Sequence, residues 1–260
     1  MFYALILKIK VKRERNAGID LIRIIGMYAI VISHIIFHCK LIKIYKENKE
    51  LNLLLTFCSW HVDSFALVSG IVGFKGNKYS NLIYLWLCTV FYSVTIHRIL
   101  SYFINIPIKI YKFSNLFFPV IMRSYWYFSD YFCLNLFIPI INKGLIYIEK
   151  YELMTIIANL ISCYIIFKDT INPKFDTLHL ESGFSVLWLL ILYIIGVFIG
   201  KYLINVKKTK NIFFYLGNLA IFLSSTFLTN YLQEHKDQKL KIIENLFKSR
   251  YNSLGTLLQV

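Results

Sequence analysis

The sequence predicts an all-α fold, a polytopic bundle of helices in a membrane, from three observations. Of its 260 residues, 57% are hydrophobic and only 17% charged, whereas soluble domains run about 45–50% apolar and about 25% charged. Mean hydropathy is +0.58, an excess that one soluble core of this length could not hide. Charge-free runs at 79–96, 182–200 and 211–233 approach or exceed the roughly 18–20 residues that a spanning helix needs. Backbone groups in lipid must bond within their own segment, which selects helices, and the alternating short strands of a membrane barrel are missing. A soluble enzyme, a disordered chain, a coiled coil and a disulfide scaffold are excluded.

About seven spans follow in order. The first, 19–38, holds the apolar run 24–37, and the second, 53–74, is interrupted only by His61 and Asp63. Spans 80–99, 183–203 and 211–231 contain the three long runs, while 121–141 and 153–168 are built on the shorter ones at 131–142 and 153–167. Segment 240–260 is a partial eighth, because Lys241, Glu244, Lys248 and Arg250 leave too short an apolar end to cross alone. Without a repeat or linker, 1–260 reads as a single membrane domain.

The net charge of +15 would suggest nucleic acid in a soluble protein. Here most Lys and Arg fall in loops beside lipid headgroups, and no clean basic-aromatic patch exists, so no nucleic-acid partner is expected. Basic residues at Lys8, Lys10, Lys12, Arg13 and Arg15, and at Lys201, Lys207, Lys208 and Lys210, put the N-terminus in the cytoplasm, although loop 39–50 carries four lysines on the opposite side. The basic residues follow Met1–Leu7 rather than precede it, which is not the pattern of a cleaved signal. Cys39, Cys58, Cys88, Cys133 and Cys163 lack CxxC spacing and read as small hydrophobes, with no metal site.

Charges inside a span are expensive and mark candidate sites. Asp20 and Arg23 are three residues apart on the first span, the spacing of a same-face ion pair. Arg23 and His34 are eleven apart, which at about 100° per residue leaves them about 20° apart on one side and about 16 Å along the axis. A cation near the cytoplasmic end and a titratable base deep in the membrane suit a long substrate, phosphates at one end and a reacting group at the other; an Asp–Arg clamp with a structural histidine is the alternative. His38, one turn beyond His34, has no third ligand in register and reads as an interfacial histidine. In the second span Ser69-Gly70 permits close helix approach. Lys75 and Lys78 after it fit either phosphate binding or a positive flank. His61 and Asp63 could touch an acceptor group or bond between helices, and Trp126 and Tyr127 read either as a stacking surface or as belt aromatics.

Four motifs in this order resemble those of the acyltransferase-3 family of membrane O-acyltransferases, over about residues 15–255. They are Gly18-Ile19-Asp20-Leu21-x-Arg23 with His34; Val62-Asp63-x-Phe65-x-x-x-Ser69-Gly70; Tyr125-Trp126-Tyr127-Phe128 through Pro139-x-x-Asn142-Lys143; and Gly183-Phe184-Ser185-x-Leu187-Trp188 with Tyr193-x-x-Gly196. The last block is similar to that of exopolysaccharide and capsule members. The resemblance implies transfer of acetyl from acetyl-CoA, a co-substrate rather than a resident cofactor, to a sugar hydroxyl of a bacterial surface polysaccharide or its lipid-linked precursor at the cell membrane. It implies His34 as general base or acyl carrier and Asp20 as the partner that orients Arg23. Arg23, Lys75 and Lys78 would meet CoA phosphates, with Ser69-Gly70 near the acyl path and Asp63 and Trp126 at the glycan acceptor. The family often has Arg-x-x-Arg where Lys75-x-x-Lys78 stands, and lysine keeps the charge but loses the bidentate fork. Members have around ten spans, so seven and a fragment read as a C-terminally short form. A glycan transporter or flippase, or an inactive remnant, are the alternative readings.

Overall fold

The computed structural model describes residues 16–39, 41, 48–74, 79–103, 113–171, 176, 178–203, 212–234, 240–248 and 250–260. These residues fold into helices, with no strand among them. In chain order they are α1 (Ala17–His38), α2 (Lys49–Phe57), α3 (His61–Gly73), α4 (Tyr79–Phe103), α5 (Phe113–Phe117), α6 (Trp126–Tyr147), α7 (Lys150–Ile161), α8 (Lys168–Ile171), α9 (Val186–Phe198), α10 (Ile212–Glu234), α11 (Lys241–Leu246) and α12 (Leu254–Gln259). Wide π-helical turns, Ser162–Phe167 and Ile199–Leu203, continue α7 into α8 and extend α9.

Five helical stretches are long and apolar enough to cross a membrane: Ala17–His38, Lys49–Gly73, Asn81–Phe103, Lys150–Ile171 and Val186–Leu203. They coincide with five of the seven expected spans. The other two, 121–141 and 211–231, are the helices α6 and α10 of 22 and 23 residues. Asp130, Asn135, Asn142 and Lys143 make α6 too polar to join the five. The bundle is wrapped in exposed apolar side chains, Leu21, Ile24, Val31, Ile83, Phe91 and Leu219 among them, the surface a lipid-facing protein presents. The chain is a multi-pass membrane protein.

The centre is α9. Trp188, Leu189, Leu192, Tyr193 and Val197 are completely enclosed, and α3, α6 and α7 all pack on it. The tightest contact is with α3, which runs parallel to it, Asp63 meeting Trp188 at one end and Gly70 meeting Gly196 at the other. The expected close approach at Ser69-Gly70 is therefore present. A Cβ at Gly70 would lie 2.1 Å from the Tyr193 carbonyl oxygen, and one at Gly196 would lie 2.1 Å from that of Leu67. Without a hydrophobic drive between helices in lipid, such glycine contacts and interhelical hydrogen bonds hold the bundle. Tyr193 donates to Asn142 Oδ1 at 2.8 Å, tying α9 to α6. Lys201 Nζ caps the carbonyls of Leu145, Ile146 and Ile148 at 3.0–3.2 Å, where the free C=O groups of α6 favour a cation.

Two elements depart from expectation. The second span is not continuous: a turn at Cys58–Trp60 separates α2 from α3. The Ser59 hydroxyl bonds the Thr56 carbonyl at 2.8 Å and the His61 imidazole bonds that of Cys58, so side chains take up carbonyls freed by the break. Segment 240–260 does not approach a span. It folds as α11 and α12, which pack on α8 and α10, and its polar groups turn inward: Ser225 donates to the Gly255 carbonyl at 2.8 Å, and Gln259 bonds both Thr226 and Ser59.

Candidate functional site

Asn16 caps α1, its side chain accepting from Gly18 N–H at 3.0 Å. Asp20 in the first turn then meets both the positive end of the helix and Arg23, at 3.8 Å. Both side chains are partly open, so the pair holds orientation more than stability. The packed stripe of α1 is Gly26, Ala29, Ser33 and Ile36, facing α3; the missing side chain at Gly26 admits the Phe65 ring, which a Cβ would meet at 3.0 Å. At 100° per residue, Arg23 and His34 sit roughly 100–120° round from that stripe and on the same side. The common face expected from the sequence is present. The His34 side chain is exposed on the surface of the bundle, because α1 packs along one narrow stripe, Gly26, Ala29, Ser33 and Ile36. The His34 ring stacks on that of His38 with centroids 5.3 Å apart and Nδ1 to Nε2 at 3.2 Å. The two form an imidazole pair, a relation the sequence reading of His38 did not contain. No group of three or more His, Cys, Asp or Glu that could hold a metal occurs among the described residues.

Beside this flank lies a cavity of about 120 Å³. Ser33 contributes one wall from α1, Ser59 and His61 another from the α2–α3 turn, and Phe184, Arg250 and Tyr251 close it. The sequence-predicted Trp126 does not line the cavity but packs on two residues that do: its ring is 4.4 Å from that of Phe184 and 5.7 Å from that of Tyr251, stacked on the latter at 27°. Asp63 stands behind this wall, completely enclosed. Its Oδ1 accepts from Trp188 Nε1 at 3.0 Å, and its Oδ2 has no partner among the described residues. At the far end of α3, Ser69 bonds the Phe65 carbonyl at 2.7 Å and the Tyr131 hydroxyl at 3.3 Å. Lys75 and Lys78 lie outside the described residues.

Several site residues escaped sequence reading. Arg123, held at φ 48°, reaches Asp130, Glu181 and the Phe184 carbonyl at 3.3, 3.1 and 2.5 Å. It thereby ties the start of α6 to a loop in which His179, Glu181, Ser182 and Gly183 all have left-handed φ. Gly183 is required there, since a Cβ would lie 2.3 Å from that of Tyr251. Arg250 and Asp169 form a buried pair at 2.8 Å. Burial pushes the Tyr251 hydroxyl up to about 12, with the Asp63 charge adding to the shift, so this phenol stays a neutral donor at physiological pH. In sequence, Asp169 and Arg250 showed only as charges at the ends of apolar runs.

No curated protein and no solved structure matches the chain. A protein-family model described as an acyltransferase domain matches residues 16–257, a range that takes in α1 with His34, the α3–α9 crossing and the cavity wall up to Tyr251. The chain belongs to the acyltransferase-3 family.

Proposed function

We propose that the protein transfers acetyl from acetyl-CoA to a sugar hydroxyl of a bacterial surface polysaccharide or its lipid-linked precursor. The observation that carries this reading is the cavity walled by Ser33, Ser59, His61, Phe184 and Tyr251, which His34 adjoins on α1 without lining it: imidazole, hydroxyl and aromatic groups converge there, the set that recognises a sugar. In the transfer, the acceptor oxygen forms a bond to the acyl carbon and the carbon–sulfur bond breaks. The hydroxyl proton passes to an imidazole and then to the departing thiolate. His34 serves as that base, or takes the acyl group itself before passing it on. The exposed His34–His38 pair suits either role, because the second ring can share the proton.

In this reading Asp20 orients Arg23, and Arg23, Lys75 and Lys78 meet the CoA phosphates at the cytoplasmic end. The distance of about 16 Å up α1 to His34 is spanned by the pantetheine arm, with the Ser69-Gly70 crossing alongside. Trp126 stands at the acceptor end, and Asp63 supports it from behind through Trp188. The protein lies in the cell membrane with its N-terminus in the cytoplasm. The test is ester-linked acetate on the surface glycan of a deletion strain complemented with wild type or with His34→Ala. Wild type restores the ester and His34→Ala does not, at equal membrane abundance; full acetylation by His34→Ala removes the assignment. The break between α2 and α3 gives some support to a glycan flippase, since transporters place substrates at interrupted helices. That reading predicts glycan export that does not depend on acetyl-CoA.

A further inference from the structure

We propose that the segment around Tyr251 forms a sugar-binding platform, with Tyr251 and Phe184 as its aromatic surface and Trp126 packed against both, and that the Asp169–Arg250 pair holds it in place. The inference rests on the glycan-acceptor reading above and deepens it by naming the subsite and its ligand, an uncharged, hydroxyl-rich sugar ring.

Four observations carry it. Tyr251 lines the cavity and is the ring on which the others converge, 5.7 Å from Trp126, 5.0 Å from Phe184 and 5.9 Å from His61. Its position is fixed on both sides. Arg250 Nη2 bonds Asp169 Oδ2 at 2.8 Å and the Asn245 carbonyl at 3.1 Å, while the Arg250 carbonyl accepts from the Thr256 hydroxyl at 2.8 Å. Gly183 gives up its side chain to let the Tyr251 backbone in, and the loop around it is held in left-handed conformations, the kind of local strain that persists where surrounding structure over-determines it. The polar groups around the ring are the hydroxyls of Ser33, Ser59 and Ser182 and the His61 imidazole. Arg250, the charged side chain in the lining, is already paired with Asp169. Flat aromatic faces with neutral hydrogen-bonding groups at their edges, and no unpaired charged side chain among the described lining residues, match the alternating C–H faces and hydroxyl edges of a neutral sugar. Amphipathic aromatics of this kind supply contact area at little cost in conformational entropy.

The test uses the full-length protein in detergent, with the cell's own surface polysaccharide, de-O-acetylated by mild base, as the probe. Tyr251→Leu keeps the bulk and removes the π face, whereas Tyr251→Phe keeps the face and removes the hydroxyl. In acetyl transfer from radiolabelled acetyl-CoA, Tyr251→Leu raises the KM for polysaccharide about tenfold, with kcat and the KM for acetyl-CoA within about twofold of wild type. Tyr251→Phe, which restores the face, recovers most of the polysaccharide KM lost in Tyr251→Leu. A second readout needs no catalysis: polysaccharide changes the tryptophan fluorescence of wild type, and the change is lost in Trp126→Phe and weakened about tenfold in Tyr251→Leu. Absence of transfer by wild type with the fluorescence change intact refutes the acetyl-transfer reading alone. An unchanged polysaccharide KM in Tyr251→Leu, an equal rise in the KM for acetyl-CoA, or fluorescence titrations identical to wild type would overturn the platform.

Discussion

Replacing Gly70 by Ala tests the idea that one helix crossing organises the whole bundle. The new methyl carbon would lie 2.1 Å from the Tyr193 carbonyl oxygen and 2.9 Å from the Val197 nitrogen. Ordinary van der Waals contact begins at 3.4 Å, so α3 and α9 must separate by about 1.3 Å at this point (3.4 less 2.1). The obstructing atoms are backbone of a helix that is itself buried against α6 and α7, and no side chain can swing away to relieve the overlap. Overpacking of a core typically costs 1–3 kcal/mol where side chains yield, so we expect at least the top of that range, about 3 kcal/mol. Separation also loosens contacts of Ala66, Trp188, Leu189 and Val197, all completely enclosed.

Gly144→Ala is the control. It lies inside α6 with nothing within 4 Å of the added carbon, and removing an interior helical glycine there should gain about 0.5–1 kcal/mol. The assay is thermal unfolding of the purified protein in detergent, followed through thiol exposure of the buried Cys58. At about 2–4 °C per kcal/mol for a chain of this size, Gly70→Ala should melt about 6–12 °C below wild type and Gly144→Ala at or slightly above it. Gly196→Ala should match Gly70→Ala, and the double variant should cost less than the sum, since one separation accommodates both methyls. Equal melting temperatures for Gly70→Ala and Gly144→Ala would refute the argument.

Three further outcomes follow from the same structure. Asp169→Asn should destabilise the protein by about 3–5 kcal/mol, because it leaves the buried Arg250 guanidinium without its counter-charge; Asp169→Asn with Arg250→Gln should recover part of that loss, read as melting temperature. Trp188→Phe removes the hydrogen bond to Asp63 Oδ1 and leaves both oxygens of an enclosed carboxyl group without a partner among the described residues, at a cost of about 1–3 kcal/mol, measured by the same unfolding assay. Replacing Lys75 and Lys78 together by Gln should raise the KM for acetyl-CoA, each contact being worth about 1 kcal/mol at most, with the difference from wild type shrinking at high salt; an unchanged KM at normal expression makes them flanking charges only.

How much of this was legible in the sequence depended on the range of the cause. Helix positions were legible, because apolarity over 18 or more residues is a local property: each expected span overlaps a helix, the second broken in two, and five stretches are long and apolar enough to cross a membrane. The Asp20–Arg23 pair and the common side of Arg23 and His34 were legible for the same reason, since helical periodicity alone sets them. The break at Cys58–Trp60 was not, as the stretch around it contains neither Pro nor Gly. It is held by the Ser59 hydroxyl and the His61 ring, and by a Gln259 that bonds Ser59 from 200 residues away. Nor was the exposure of the His34 side chain legible: periodicity gives the angle between two residues on a helix, whereas the choice of buried stripe is made by the neighbour, here Phe65 seated on Gly26.

The same distinction explains why the acceptor side of the site was the harder half to read. Its donor-side candidates lie on α1 and just after α3, each within one local motif. The cavity wall is assembled from α1, the α2–α3 turn, the 181–184 loop and the turn before α12, and the ion pair that holds its last piece joins residues 81 apart. A sequence shows such a pair as two unrelated charges, each expensive near an apolar segment. That cost is the usable signal. Asp63, Asp130, Asp169 and Arg250 are charges set among hydrophobic residues, and in the folded chain each of them has a partner: Trp188 for Asp63, Arg123 for Asp130, and Asp169 and Arg250 for each other. Arg250 lines the cavity, and Arg123 bonds the carbonyl of Phe184, another of its lining residues. Burying charge is tolerated where it fixes the position of something else, and in this bundle what those charges fix is the aromatic wall that faces His61 and the flank of α1 carrying His34.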